Sequence, residues 1–219
     1  MLKDKKAVIF DLDGTLCDSM WVWTDIDRRF FESRGIEVDE KELQRAIEGM
    51  SFSETAEYFV STYSLPETAG ELMELWNQMA LARYRSEVQL KEGVREYLDF
   101  LLQRGYQLAI ATSNSREVVE AFLHVQGIGS CFSAITTSCE VKAGKPAPDV
   151  YLETAKKLHM APSACLVFED LLMGILAGQR AGMTVCAVDD AYSHFEWDKK
   201  RERADYAIES FADPAIRSI

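Results

Sequence analysis

The chain has little that would tie it to an oxidising compartment, a membrane or a polyanion. Its cysteines, Cys17, Cys131, Cys139, Cys165 and Cys186, are odd in number and show no CxxC spacing, which argues against a disulfide framework. No stretch approaches the roughly 20 apolar residues needed to span a bilayer. The opening segment MLKDKKAVIFDLDGT carries only a short apolar run before two carboxylates, unlike the apolar centre of a signal peptide. Basic residues are outnumbered, 24 Lys and Arg against 36 Asp and Glu, and the net charge of −12 leaves no general attraction for nucleic acid or an anionic membrane. A cytoplasmic protein without nucleic-acid or membrane partners is expected.

What is present suits a globular fold. A length of 219 residues allows one core, or a core with a smaller unit attached, and 11% aromatic residues argue against disorder. Short apolar runs rich in β-branched residues alternate with amphipathic segments, the pattern of a parallel sheet wrapped by helices. Strands are predicted at Ala7 to Phe10, Gln107 to Ala111, Ala134 to Thr137, Cys165 to Phe168, Thr184 to Val188 and Tyr206 to Ile208. Val94, Tyr97, Leu98, Leu101 and Leu102 follow helical spacing. A second helix is expected to start at Asn114 or Ser115, with Val118, Phe122 and Val125 on one stripe.

The alternation breaks after the first strand. From Ser19 to about Ser86 the sequence is helical in character, with Trp21, Trp23, Phe30, Phe31, Tyr58, Phe59 and Trp76 at helix-compatible positions. Ser51 and Glu54 form the S-x-x-E pattern of a capping box. The expected organisation is a Rossmann-like α/β core made of residues 1–17 and 88–219, with a helical unit of residues 18–87 inserted into it.

In open parallel sheets, ligands bind at the carboxyl ends of the strands. The polar residues there are Asp11 and Asp13 after AVIF, Thr112, Ser113 and Asn114 after LAIA, and Glu169 and Asp170 after CLVF, with Lys145 in the later loop GKPAPD. Several carboxylates in one crevice repel one another, and a bound cation relieves that repulsion. Magnesium, which prefers oxygen ligands and keeps part of its water, suits such a site better than zinc. A cation, a lysine and hydroxyl groups together suit the three charged oxygens of a phosphoryl group, and a carboxylate facing phosphorus can act as nucleophile.

DLDGT after a strand, ATSN, GKPAPD and FEDLLMGILAG resemble, in order and spacing, the four motifs of the haloacid dehalogenase-like superfamily. The resemblance covers nearly the whole chain, including a helical cap like that of the branch containing β-phosphoglucomutase and many sugar-phosphate phosphatases. It implies that Asp11 is nucleophile and magnesium ligand. Asp13 would give the metal its backbone carbonyl and serve as proton donor and acceptor. Gly14 would allow the chain to leave the strand sharply beside the substrate. Thr112 would hydrogen-bond the phosphoryl group with help from Ser113 and Asn114, and Lys145 would offset charge. Asp170 and Glu169 would complete the metal shell, Glu169 directly or through water.

Thr112, Ser113 and Asn114 are equally good helix-start residues, and both readings hold together. Trp23 is a candidate for the substrate pocket, with the interior of the helical unit as its alternative place. The three histidines, His124, His159 and His194, are expected on the surface, and the cysteines as small buried apolar groups. Mutase members of the branch carry a His, a Lys and an Arg where Trp23, Glu48 and Phe52 stand here, the last two in the stretch EGMSF. That departure favours a one-phosphate substrate and water as acceptor. Asp13 argues against dehalogenase and phosphonate-cleaving members. Leu171 stands where the fourth motif usually continues with Ser or Thr, so one hydroxyl near the metal shell is expected to be missing. The expected activity is a monomeric, magnesium-dependent phosphatase of a small phosphorylated metabolite, a sugar phosphate first. A phosphosugar mutase and a non-catalytic binder of such metabolites are the alternatives.

Overall fold

A computed structural model describes residues 1–47 and 50–217, so Glu48 lies outside the described residues. Strand β1 (Ala7–Phe10) is followed by the short β2 (Cys17–Asp18) and by helices α1 (Met20–Glu32), α2 (Glu40–Ile47), α3 (Phe52–Thr62) and α4 (Ala69–Ser86). The chain returns through β3 (Gln89–Leu90), which pairs antiparallel with β2. It continues through α5 (Val94–Gln103), β4 (Gln107–Thr112), α6 (Arg116–Gln126), β5 (Ala134–Thr137), α7 (Asp149–Lys157) and β6 (Cys165–Glu169). Helix α8 (Leu172–Arg180), β7 (Thr184–Val188), α9 (Trp197–Arg203) and β8 (Tyr206–Ile208) complete the order.

The large sheet runs β5-β4-β1-β6-β7-β8, with every neighbouring pair parallel. From β1 the chain moves out to one side through β4 and β5, then crosses back to the other side at β6. The order therefore reverses at β1, where the carboxyl ends of the strands open a crevice. β1 is buried on both faces, as a central parallel strand should be. Val8 and Phe10 pack with one apolar cluster, and Ala7 and Ile9 with the other. Phe10 stacks on Phe168 of β6 at 5.2 Å between ring centres, and Tyr97 of α5 meets Phe168 edge-on. These contacts lock β1 to β6, and Asp11 N–H donates to Phe168 O at 3.0 Å just past the last pair.

The six long strands lie where the apolar runs place them, except that β4 and β6 each extend one residue further, to Thr112 and Glu169. Ser51 caps α3 with the reciprocal Glu54 contact, and Ser115, rather than Asn114, caps α6. Val125 and Leu102 are correctly spaced but exposed, since each lies at the margin of its helix stripe. The three histidines are exposed. Cys17, Cys165 and Cys186 are buried, but Cys139 is exposed, in a turn after β5 where no helix face or strand face dictates burial. No helix among the described residues is long and apolar enough to cross a membrane.

Candidate active site

Asp11 leaves β1 at the reversal of strand order, between the ends of β4 and β6. Its Oδ1 accepts from the Lys145 ammonium at 2.6 Å, and Lys145 also donates to Glu169. Tyr151 of α7 donates its hydroxyl to the same Glu169 oxygen, Oε1, at 2.9 Å, and Leu171 N–H donates to Oε2 at 3.0 Å. All of these groups are buried apart from partly buried Leu171. Burial pushes the Asp11 carboxyl up to about 8, with Lys145 pulling down and the charges of Glu169 and Asp13 adding to the rise. Burial opposes the charge on Lys145, but Asp11 and Glu169 overcome that and hold its ammonium above the usual lysine range.

Asp170 completes a cluster in which one carboxylate oxygen each from Asp11, Glu169 and Asp170 lie within 4.8 Å of one another. Thr15 donates to Asp170 Oδ1 at 2.9 Å, while Oδ2 is buried with no hydrogen-bond partner. A buried carboxylate oxygen without a hydrogen-bond partner, beside two other carboxylates, suits a cation site of oxygen ligands. The donor set, all oxygen, fits magnesium. Burial first, then Glu169 and Asp11, raises the Asp170 carboxyl well above the usual range. Its backbone carbonyl is fixed by Ser193 Oγ at 3.2 Å and by the buried Lys200 ammonium at 2.8 Å. Leu171 offers no hydroxyl, and the one that Asp170 receives comes from Thr15.

Gly14 does not line the crevice. Its φ is +76°, and a Cβ there would come within 2.2 Å of Asp170 Oδ2, so a side chain is excluded both by conformation and by the Asp170 carboxylate. Its N–H donates to Cys17 O at 2.9 Å, and its carbonyl accepts from Lys91 at 2.7 Å. Lys91 also reaches Asp190 at 3.0 Å, tying the start of α5 to the loop after β7.

Asp13 is gripped by three donors. Ser19 Oγ donates to Oδ1 at 2.6 Å, the Tyr84 hydroxyl donates to the same oxygen, and Asn114 Nδ2 donates to Oδ2 at 3.0 Å. Trp23 Nε1 in turn donates to the Tyr84 hydroxyl at 3.0 Å. Asn114 therefore spends its side chain on Asp13 and on its neighbour Ser115 N–H, which donates to Oδ1 at 2.7 Å. Thr112 Oγ1 accepts from Asn114 N–H at 3.0 Å, and Ser113 stands beside Ser138, their hydroxyl oxygens 3.5 Å apart.

A cavity of about 600 Å³ lies between this sheet edge and the four-helix segment. Asp11, Asp13, Thr112, Ser113, Asn114, Lys145 and Glu169 all reach it. Trp23 lines it as well, its ring 5.8 Å edge-on from Phe52, while Trp21 is exposed. Tyr84, Ser19, Thr15, Tyr151 and Lys200 were not singled out from sequence. Each acts through a partner 6 or more residues away, up to 155 for Thr15, and no local pattern carries such a contact.

Asp27 of α1 also reaches the cavity, and it lines a second one in the four-helix segment. Burial alone pushes its carboxyl from 3.8 up to about 7. The folded state thus keeps a proton that the unfolded chain has lost, and stability should fall as pH rises from about 4 to about 7. Arg28, Glu32, Glu37, Glu40, Lys41 and Arg45 surround the two cavities, and none forms an ion pair with Asp27 among the described residues. Asp27→Asn should remove this component. Urea denaturation on either side of that window should show the variant gaining on the wild type at the alkaline end.

The model of haloacid dehalogenase-like hydrolases matches residues 8–188 of the chain. The chain belongs to this family. It is 34% identical over 187 residues to a bifunctional riboflavin kinase/FMN phosphatase of Arabidopsis thaliana, covering 85% of the chain but only 49% of that protein. The chain therefore spans about half the length of this relative. Hexitol phosphatase A of Escherichia coli is 32% identical over 188 residues, covering 84% of the chain and 83% of the relative. CbbY of Rhodobacter sphaeroides, solved with phosphate, superposes with a TM-score of 0.86 at 23% identity, over 98% of this chain and all of that one, which shows the shared α/β fold. Family membership and relatives named as phosphatases identify the chain as a phosphoric monoester hydrolase.

Proposed function

We propose that this hydrolase is a magnesium-dependent phosphatase of a small sugar or polyol phosphate, working through an aspartyl phosphate on Asp11. The observation that carries the reading is the meeting of Asp11, Glu169 and Asp170 at a cavity that also exposes Asp13, Thr112 and Lys145. The hexitol phosphatase relative, matched over most of its length, supports the substrate class.

Asp11, Glu169 and Asp170, with the Asp13 carbonyl, would hold the magnesium ion, which when bound neutralises the carboxylates and the phosphoryl oxygens. Thr112 and Ser113 hydroxyls hydrogen-bond the phosphoryl oxygens, and Lys145 balances charge beside Asp11. An Asp11 oxygen attacks phosphorus, the ester P–O bond breaks, and Asp13 gives the departing oxygen its proton. Asp13 then takes a proton from water as the water oxygen attacks the same phosphorus. Phosphate leaves and Asp11 is restored. Ser19, Tyr84 and Asn114 keep the Asp13 carboxyl oriented for both steps.

The four helices α1 to α4, taken as a cap, exclude bulk water and choose among esters. An aromatic pair, Trp23 and Phe52, faces the cavity where mutase members carry His and Arg, which supports water over a second sugar phosphate as acceptor. Action in the cytoplasm is in keeping with the unpaired cysteines, and a monomer is the proposed state.

The test is phosphate release from a panel of sugar, polyol and nucleotide monoesters, with magnesium and after chelation. Release should require magnesium and favour a hydroxylated ester. Magnesium should also raise Tm, because it binds only the folded cluster. Full activity after chelation, with no Tm response to magnesium, would contradict the metal-dependent reading.

A further inference from the structure

Resting on the phosphatase reading, we infer that Asp27 is the specificity residue of the cavity, accepting hydrogen bonds from hydroxyl groups on the part of the substrate remote from phosphorus. The carboxyl projects from α1 into the space shared with Asp11, yet it caps no helix and has no hydrogen-bond or ion-pair partner among the described residues. A half-buried carboxyl without a partner weakens the fold, and the cavity it faces is walled in part by Trp23, Phe52 and Trp76. Such a group earns its place by meeting a ligand.

The neighbours narrow the chemistry. Thr24 and Gln44 line the same cavity, and so do Lys41 and Arg45, four residues apart on one face of α2 and paired with no carboxylate among the described residues. Two cations on the wall of the same cavity disfavour a cationic ligand group. Hydroxyl groups satisfy both kinds of wall, since each can donate to Asp27 and accept from Lys41, Arg45 or the Gln44 amide. The substrate class is therefore a monophosphate ester with several hydroxyls, a sugar or polyol, rather than an aryl or alkyl ester. A site built to bond hydroxyls discriminates strongly against analogues that lack them.

The experiment compares the wild type, Asp27→Asn and Asp27→Leu on a hexitol monophosphate and on phenyl phosphate, which has no hydroxyl to offer. Asp27→Leu should lose roughly 10- to 100-fold in kcat/KM on the hexitol ester, mainly through KM. Its rate on phenyl phosphate should stay within about threefold, and its Tm should equal or exceed that of the wild type. Asp27→Asn should show the same selective loss to a smaller extent. Parallel losses on both esters, or no loss on either, would overturn the inference. A wild type that cleaves phenyl phosphate but no hydroxylated ester would also overturn it while leaving the phosphatase reading intact. A wild type that cleaves neither ester would remove that reading, and this inference with it.

Discussion

Asp11→Asn should lower turnover by about 10⁴-fold or more, because an amide cannot form the acyl phosphate on which both proposed half-reactions depend. The loss should not come from unfolding. Asp11 is buried among Glu169, Asp13 and Asp170, with Lys145 as the cation bonded to it. Replacing a carboxylate there by its neutral isostere relieves repulsion and leaves Lys145 paired with Glu169. Tm should therefore match or exceed that of the wild type, while the response of Tm to magnesium weakens. A non-catalytic binder of phosphorylated metabolites would keep its biological activity in this variant, so the same substitution separates the two classes.

Gly174→Ala should be damaging, although it adds only one methyl group to a helix. Within a helix this change ordinarily stabilises by about 1 kcal/mol. Here the added Cβ would lie 1.8 Å from Glu169 Oε1 and 2.0 Å from its Cδ. Glu169 cannot swing aside without abandoning Lys145, Tyr151 and Leu171 N–H. Either α8 moves away from β6 or the carboxylate leaves the cluster. Stability should drop by about 1–3 kcal/mol, as in other overpacked cores. Displacement of the Glu169 carboxylate, a metal ligand in the proposed mechanism, by about 1 Å should cost roughly 100-fold in kcat/KM. Urea denaturation and steady-state kinetics on one preparation would read both effects. A gain in stability with unchanged kinetics would show that Glu169 is not held as described.

Much of this was legible in the sequence because the α/β pattern is local. Each long strand is a short apolar run, and three of them lead to a polar residue that reaches the crevice: β1 runs into Asp11, β4 ends on Thr112 and β6 ends on Glu169. Gly174 stood within the stretch FEDLLMGILAG, but nothing in the spacing said that its missing side chain makes room for Glu169. The two-residue strands β2 and β3 could not be read, since two residues carry no period. The grip of Tyr84 on Asp13 joins the end of α4 to the loop after β1, across 71 residues. Asp27 was hidden for a different reason: its lack of a partner is a property of the packed helices and has no signature in composition.

The most direct test of the central claim is to trap the enzyme during turnover with a hexitol monophosphate and magnesium, quench it in acid, and reduce it with borohydride before peptide mapping. Borohydride reduces an aspartyl phosphate to homoserine, which marks the residue that carried the phosphoryl group. The account predicts that mark at Asp11, absent without substrate and absent in Asp11→Asn. A mark at any other residue, or steady phosphate release with no trapped phosphoenzyme at Asp11, would contradict it.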